Sequence, residues 1–143
     1  MPHLTLEYTA NLHFEVQSLL QRLHAELVAS GAVNLKGLKS RAVRHSDYWI
    51  ADGNGDYAFA HVGLLIREGR SPEVQQDIVQ RMMAVLKEVL GDRFENGYPS
   101  LSVDIKEMRA GTALTFHNIP AADSDAGDRP DAAKHLETEQ GKD

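Results

Sequence analysis

The 143-residue sequence contains no cysteine, so it can form neither a disulfide framework nor a thiolate metal site or nucleophile. No apolar run approaches the ~20 residues that span a bilayer, and the start lacks the basic and apolar regions of a secretory signal. Positive charge is also scarce, because 15 Lys and Arg face 21 Asp and Glu, a formal net charge of −6. A nucleic-acid binder would carry a basic patch on a basic domain. We therefore expect a cytoplasmic protein that binds neither membranes nor nucleic acid.

The apolar residues that are present recur with the periods of strands and helices. Strands are predicted over 3–8, 38–45, 57–67 and 101–108, and helices over 12–30 and from Pro72 to just before Gly91. Crossovers of this length favour parallel pairing within each strand–helix–strand unit. We predict an α+β fold in which two tandem βαβ units form one four-stranded mixed sheet with both helices on one face.

The order of elements also predicts the domain organisation. One domain spans residues 1–118, and residues 119–143, which have almost no large apolar side chain, are predicted to be a disordered acidic tail. The sheet face without helices is uncovered, which predicts association with other copies of the chain.

Local signals predict where the two helices begin and end. Asn11 is the predicted N-cap of the first helix, and Gly31 supplies the left-handed residue after its end. Ser71 is the predicted N-cap of the second helix, with Pro72 at its first position and Gly91 at its end.

Pro2 is the first candidate for chemistry. If Met1 is removed, the nitrogen of Pro2 becomes a secondary amine with a free lone pair, which could act as a general base. The ordinary interpretation is structural, because proline has no N–H for a strand ladder and is tolerated at the first residue of a strand.

Several cations lie near predicted strand ends in this otherwise acidic chain: Lys39, Arg41, Arg44, Arg67 and Arg70. Guanidinium groups bind carboxylates bidentately, and Arg70 directly precedes the start of a helix, where an anion is favoured. The alternative is a solvated edge whose charges discourage strand pairing.

The histidines show no spacing typical of a metal site, so no bound metal is expected. His61 is predicted to be a hydrogen-bonded core histidine, whereas His13 and His24 are placed on the solvated side of the first helix without a chemical role.

Taken together, the segments resemble the 5-carboxymethyl-2-hydroxymuconate isomerase family of the tautomerase superfamily. The match runs from Pro2 to about Phe116. The resemblance is carried by Pro2-His3, Glu7, Ser40-Arg41, Ala51-Asp52-Gly53, Asp56-Tyr57-Ala58-Phe59, His61 and Gly69-Arg70-Ser71.

This resemblance implies a cofactor-free isomerase of anionic dienols from aromatic-compound degradation, in the homoprotocatechuate pathway. It also implies a homotrimer whose sheets face inward, with Pro2 as catalytic base at each subunit interface. Arg70 matches a family arginine that grips a substrate carboxylate, while a second such arginine is replaced here by Lys39. Because lysine lacks the planar fork, either Lys39 or Arg41 takes that role, or the substrate preference differs.

Two other functions stay open at this point. The same base could serve a hydratase or dehalogenase of unsaturated acids, or the chain could be a trimeric binding protein with only vestigial tautomerase activity.

Overall fold

The computed structural model describes residues 1–120, apart from the side chains of Phe94, Glu95, Asn96 and Tyr98. The strands are β1 (His3–Thr9), β2 (Lys39–His45), β3 (Tyr57–Arg67) and β4 (Tyr98–Met108). The helices are α1 (Val16–Ala29), α2 (Pro72–Val89) and α3 (Gly91–Asn96), and a 3-10 turn spans Leu35–Gly37. The predicted tail, 119–143, lies outside the described residues except for its first two.

The sheet has the strand order β2-β1-β3-β4. β1 is parallel to β2, β3 is parallel to β4, and the two units meet through the antiparallel pair of β1 and β3. The predicted tandem βαβ fold with a mixed sheet is therefore confirmed. The antiparallel centre matters for function, because it brings the amino end of β1 beside the carboxyl end of β3.

One face of the sheet forms the core with both helices. Alternation along β1 buries Leu4 and Leu6, and alternation along β3 buries Val62 and Leu64. The helices contribute the stripes Leu19, Leu23 and Leu27 from α1 and Ile78, Met82 and Leu86 from α2, all fully buried. Between Met1 and Pro120, no helix combines the length and the apolar character needed to cross a membrane.

The other face of the sheet is open, and it is polar. His45 Nε2 lies 3.0 Å from Glu7 Oε1, and His61 Nε2 lies 3.2 Å from Asp104 Oδ1. The prediction of self-association assumed that the uncovered face is apolar, and these polar pairs show that it is not. Association through it would have to match charges and hydrogen bonds.

One predicted helix boundary was wrong. α1 begins at Val16, with Glu15 rather than Asn11 as the N-cap residue. Asn11 instead donates from Nδ2 to the Tyr57 carbonyl at 2.7 Å, so its side chain ties the loop before α1 to the start of β3. α2 ends at Val89 with Leu90 as its C-cap, just before Gly91 as predicted, but Gly91 is also the first residue of the short helix α3, which was not predicted.

Other local signals were confirmed. Gly31 has a φ of 76° immediately after α1, a conformation that glycine adopts without strain. The Ser71 hydroxyl accepts a hydrogen bond from the Val74 N–H at 3.2 Å, so Ser71 caps α2 as predicted.

We predict that Ser71→Ala lowers the free energy of unfolding by about 1 kcal/mol, because the Val74 N–H loses its partner. Urea denaturation followed by circular dichroism measures this difference. Ser18→Ala is the matched control, since Ser18 is exposed on α1 and does not cap it. An equal loss in both variants would show that the cap contributes nothing specific.

Candidate active site

Pro2 lies immediately before β1 and is buried. Its carbonyl accepts a hydrogen bond from the Lys39 N–H at 3.1 Å, so the β1–β2 ladder continues back to Pro2. Proline has no N–H to offer the ladder, so this position costs the sheet no hydrogen bond. The backbone at Pro2 is thus fixed on its carbonyl side, while its nitrogen, which is bonded to Met1, has no hydrogen to donate to the ladder.

Lys39 is the predicted site residue in closest contact with the amino terminus. It pairs with His3 in the parallel ladder, so both side chains point to the open face. Its Nζ lies 3.0 Å from Met1 Sδ and 3.4 Å from the Gly37 carbonyl. The structure therefore places an ammonium group directly at the residue that precedes Pro2.

Arg41 lies one step further along the same face. It pairs with Thr5, is exposed, and places Nη1 and Nη2 at 3.2 and 3.1 Å from Nδ1 of His3. A guanidinium group only donates hydrogen bonds, so Nδ1 of His3 must be the acceptor. Arg41 is thus held against His3, close to the first strand but one pair beyond Lys39.

Arg70 joins two backbone segments. Its Nε and Nη2 donate to the Ala32 carbonyl at 2.9 and 2.7 Å, and its Nη1 donates to the Arg67 carbonyl at 2.9 Å. The segment after α1 is therefore fastened to the turn after β3. Three of the five N–H groups of the guanidinium are used in this way. That Arg70 binds substrate stays a prediction, and only the other two N–H groups of the guanidinium are left for it.

Arg67, the last residue of β3, received no role from the sequence beyond its place among the cations near strand ends. Its Nε is buried and has no hydrogen-bond partner within residues 1–120. The signal that could have singled it out is alternation along β3, which puts Arg67 on the same open face as Leu65 and Gly63.

His24 lies elsewhere than predicted. It is half-buried rather than solvated, and its Nδ1 lies 2.9 Å from Ser40 Oγ. With Leu20, Val28 and Leu35 it lines a groove of about 690 Å³ between α1 and β2. Burial lowers the pKa of His24 from its ordinary value of 6.5. This groove is larger than the cavity of about 300 Å³ on the open face, which His3 and Arg41 help to line.

His61 is hydrogen-bonded, as predicted, but it lies on the open face and not in the core. Its Nδ1 is 2.7 Å from Ser102 Oγ, and its Nε2 faces Asp104. Among residues 1–120 no group of histidine and carboxylate side chains could hold a metal ion.

The family model of 5-carboxymethyl-2-hydroxymuconate isomerase matches residues 2–122 of this chain. The chain belongs to the 5-carboxymethyl-2-hydroxymuconate isomerase family. It is therefore an isomerase, with the fold of the tautomerase superfamily.

Individual relatives agree with the family. This isomerase is 32% identical over 124 residues to the 5-carboxymethyl-2-hydroxymuconate Delta-isomerase of Escherichia coli, covering 85% of this chain and 98% of that protein. The 5-carboxymethyl-2-hydroxymuconate isomerase structure from Deinococcus radiodurans R1 is 36% identical, with a TM-score of 0.79 over 82% of this chain and 90% of that one. A fused 4-OT, described as a wild-type symmetric trimer, is 16% identical and shares the fold, with a TM-score of 0.59 over 79% and 90% of the two chains.

We predict that Arg70→Met lowers the free energy of unfolding by about 1–3 kcal/mol, because the Ala32 and Arg67 carbonyls lose their donors. Thermal and urea denaturation measure the loss. Arg44→Met is the matched control, since Arg44 is an exposed arginine near the other end of β2. Equal stabilities of the two variants would show that Arg70 does not fasten the loops.

We also predict that His24 makes stability depend on pH. Its pKa is lower in the folded chain, so the unfolded chain binds a proton more readily below about pH 6.5. The contribution of neutral His24 to the free energy of unfolding is thus complete above about pH 6.5 and declines as the pH falls. His24→Gln should flatten the curve of unfolding free energy against pH between about 7 and 5, measured by urea denaturation. The exposed His13, changed to Gln, should leave the slope as it is; a His24→Gln slope equal to wild type would contradict the assignment.

Proposed function

We propose that this isomerase is a cytoplasmic, cofactor-independent tautomerase whose general base is the nitrogen of Pro2 after removal of Met1. Its substrate would be 5-carboxymethyl-2-hydroxymuconate or a similar anionic dienol. The observation that supports the proposal is local: Pro2 is buried at the start of β1, and the Lys39 ammonium contacts the residue that precedes it.

The proton chemistry follows from the state of the proline nitrogen. With Met1 attached, the nitrogen is an amide and has no basic lone pair. Without Met1 it is an amine, and model α-amino groups titrate near ~7.7–8.0. Burial and a neighbouring ammonium both disfavour the protonated form. A neutral, basic nitrogen would therefore be available near neutral pH.

In the proposed reaction, the Pro2 nitrogen takes the hydroxyl proton of the dienol and returns a proton to a distant carbon. The product is the conjugated ketone, and no atoms other than the proton move. Lys39, Arg41 and Arg70 would hold the substrate carboxylates and stabilise the negative charge that develops on oxygen. Lys39 has the strongest support, because Arg41 is held by His3 and Arg70 by backbone carbonyls.

We propose further that the chain works as a homotrimer with the open sheet faces inward, as the resemblance implies. The fused 4-OT relative is described as a symmetric trimer, which supports this assembly. The polar pairs on the open face, such as Glu7 with His45, would then lie at or near subunit contacts.

The test is to block the proline nitrogen. A short, uncleaved extension before Pro2 should lower kcat for the dienol by at least ~10²-fold, because general acid–base catalysis typically contributes ~10²–10⁴-fold. Loss of the dienol absorbance measures turnover, and intact mass confirms which residue is amino-terminal.

An extension of equal length after Asp143 is the control and should leave turnover unchanged. Pro2→Ala keeps a primary amine at the terminus and should retain more activity than the blocked chain. Full turnover with the proline nitrogen acylated would exclude Pro2 as the base.

A further inference from the structure

Arg67 carries a guanidinium group whose Nε is buried without a hydrogen-bond partner. An unsatisfied buried polar group is costly, and a charged one more so. The nearby carboxylate of Glu68 is already engaged, because its Oε1 accepts a hydrogen bond from the Ala110 N–H at 2.8 Å. Because the buried Nε is out of reach of solvent, an anion from outside the described chain would have to approach the other two nitrogens of the Arg67 guanidinium.

The register of the sheet places Arg67 at the amino terminus. β1 and β3 are antiparallel with His3 opposite Leu65, and the same register continued by two residues sets Met1 opposite Arg67. Residues opposite each other in an antiparallel pair point to the same face, with Cβ atoms about 4.5–5.5 Å apart. Arg67 therefore approaches the start of the chain from the β3 side.

Lys39 approaches the same position from the β2 side. It is paired with His3, and its Nζ contacts Met1 Sδ. On the continued register, the residue before Pro2 would have a cation on each neighbouring strand, and of these the contact from Lys39 is observed. Removal of Met1 would leave the Pro2 nitrogen with an ammonium group on one side and a guanidinium group on the other.

We propose that Arg67 binds a second carboxylate of the substrate, opposite Lys39, and so restricts the enzyme to dienols with at least two carboxylates. The inference rests on the proposed function, since it places Arg67 beside the proline base. Arg67 differs from Lys39 in what it can recognise: its planar fork binds a carboxylate bidentately, whereas an ammonium group acts as a point charge.

The other arginines near the sheet are less suited to this role. Arg41 donates to His3, and Arg70 donates to two backbone carbonyls. Either could bind substrate only with its remaining N–H groups or by giving up those contacts. Among the residues that the structure describes, the Nε of Arg67 has no hydrogen-bond partner, whereas the Nε of Arg70 donates to the Ala32 carbonyl.

The kinetic test compares Arg67→Met with Arg67→Lys and with the exposed control Arg44→Met. For 5-carboxymethyl-2-hydroxymuconate, Arg67→Met should raise KM about tenfold or more and leave kcat within about twofold, because the lost contact is to a carboxylate that does not react. For phenylenolpyruvate, which has one carboxylate, KM should change less than about twofold. Arg67→Lys should fall between wild type and Arg67→Met, and Arg44→Met should match wild type.

A binding measurement separates this inference from the proposed reaction. Calorimetry with propane-1,2,3-tricarboxylate, which cannot tautomerise, should show at least about tenfold weaker binding to Arg67→Met than to wild type, both without Met1. If wild type binds this anion through Arg67 but isomerises no dienol, the proposed function fails and the anion site stands.

Three results would overturn the inference. Equal affinity of wild type and Arg67→Met for the tricarboxylate would remove Arg67 from the site. An equal rise in KM for the one-carboxylate and the three-carboxylate substrate would show a general defect of the enzyme. A change in oligomeric state of Arg67→Met in sedimentation velocity would mean that Arg67 pairs with a neighbouring copy.

Discussion

The hydrogen bond from the Lys39 N–H to the Pro2 carbonyl is the contact on which the proposed chemistry depends. It extends the β1–β2 ladder back to Pro2, one residue before β1. It can do so because the ladder uses only the carbonyl of Pro2, whose nitrogen has no hydrogen to donate. A proline at this place therefore gives the sheet a fixed end and keeps its nitrogen out of the backbone hydrogen bonding. The proposed base would be positioned by the hydrogen bond that begins the β1–β2 ladder.

The main elements could be predicted from the sequence because each has a local cause. Alternating burial along β1 and β3, the apolar stripe of each helix, Ser71 before Pro72 and Gly31 after α1 are all set by neighbouring residues. Asn11 was misassigned because its amide has a distant alternative, the Tyr57 carbonyl on β3. α3 was missed since a helix of one or two turns carries too short an apolar pattern to be recognised.

The side chains of the site were less predictable, because their roles depend on partners far along the chain. In the sequence, Arg70 resembles an anion-binding residue. In the structure, three of its N–H groups donate to backbone carbonyls, and one of these carbonyls belongs to Ala32, 38 positions away. Arg67 looks the same in sequence, yet its Nε has no partner. His24 lies on a helix whose polar residues mostly face solvent, but its own side chain lies against Ser40 on β2, with Nδ1 within hydrogen-bond distance of Oγ. Only the packed structure distinguishes a cation that fastens backbone segments from one whose Nε has no partner within residues 1–120.

The placement of the cations also resolves an electrostatic difficulty. A chain with a net charge of −6 should repel a substrate that carries two or three carboxylates. At physiological ionic strength, however, exposed charges more than about 8 Å apart are largely screened, whereas a buried or half-buried group in contact with the substrate is screened much less. The net charge therefore weakens encounter only modestly, and affinity depends on a few close cations. In the proposed function, Lys39 and Arg67, on the strands either side of β1, would be those cations beside the Pro2 nitrogen.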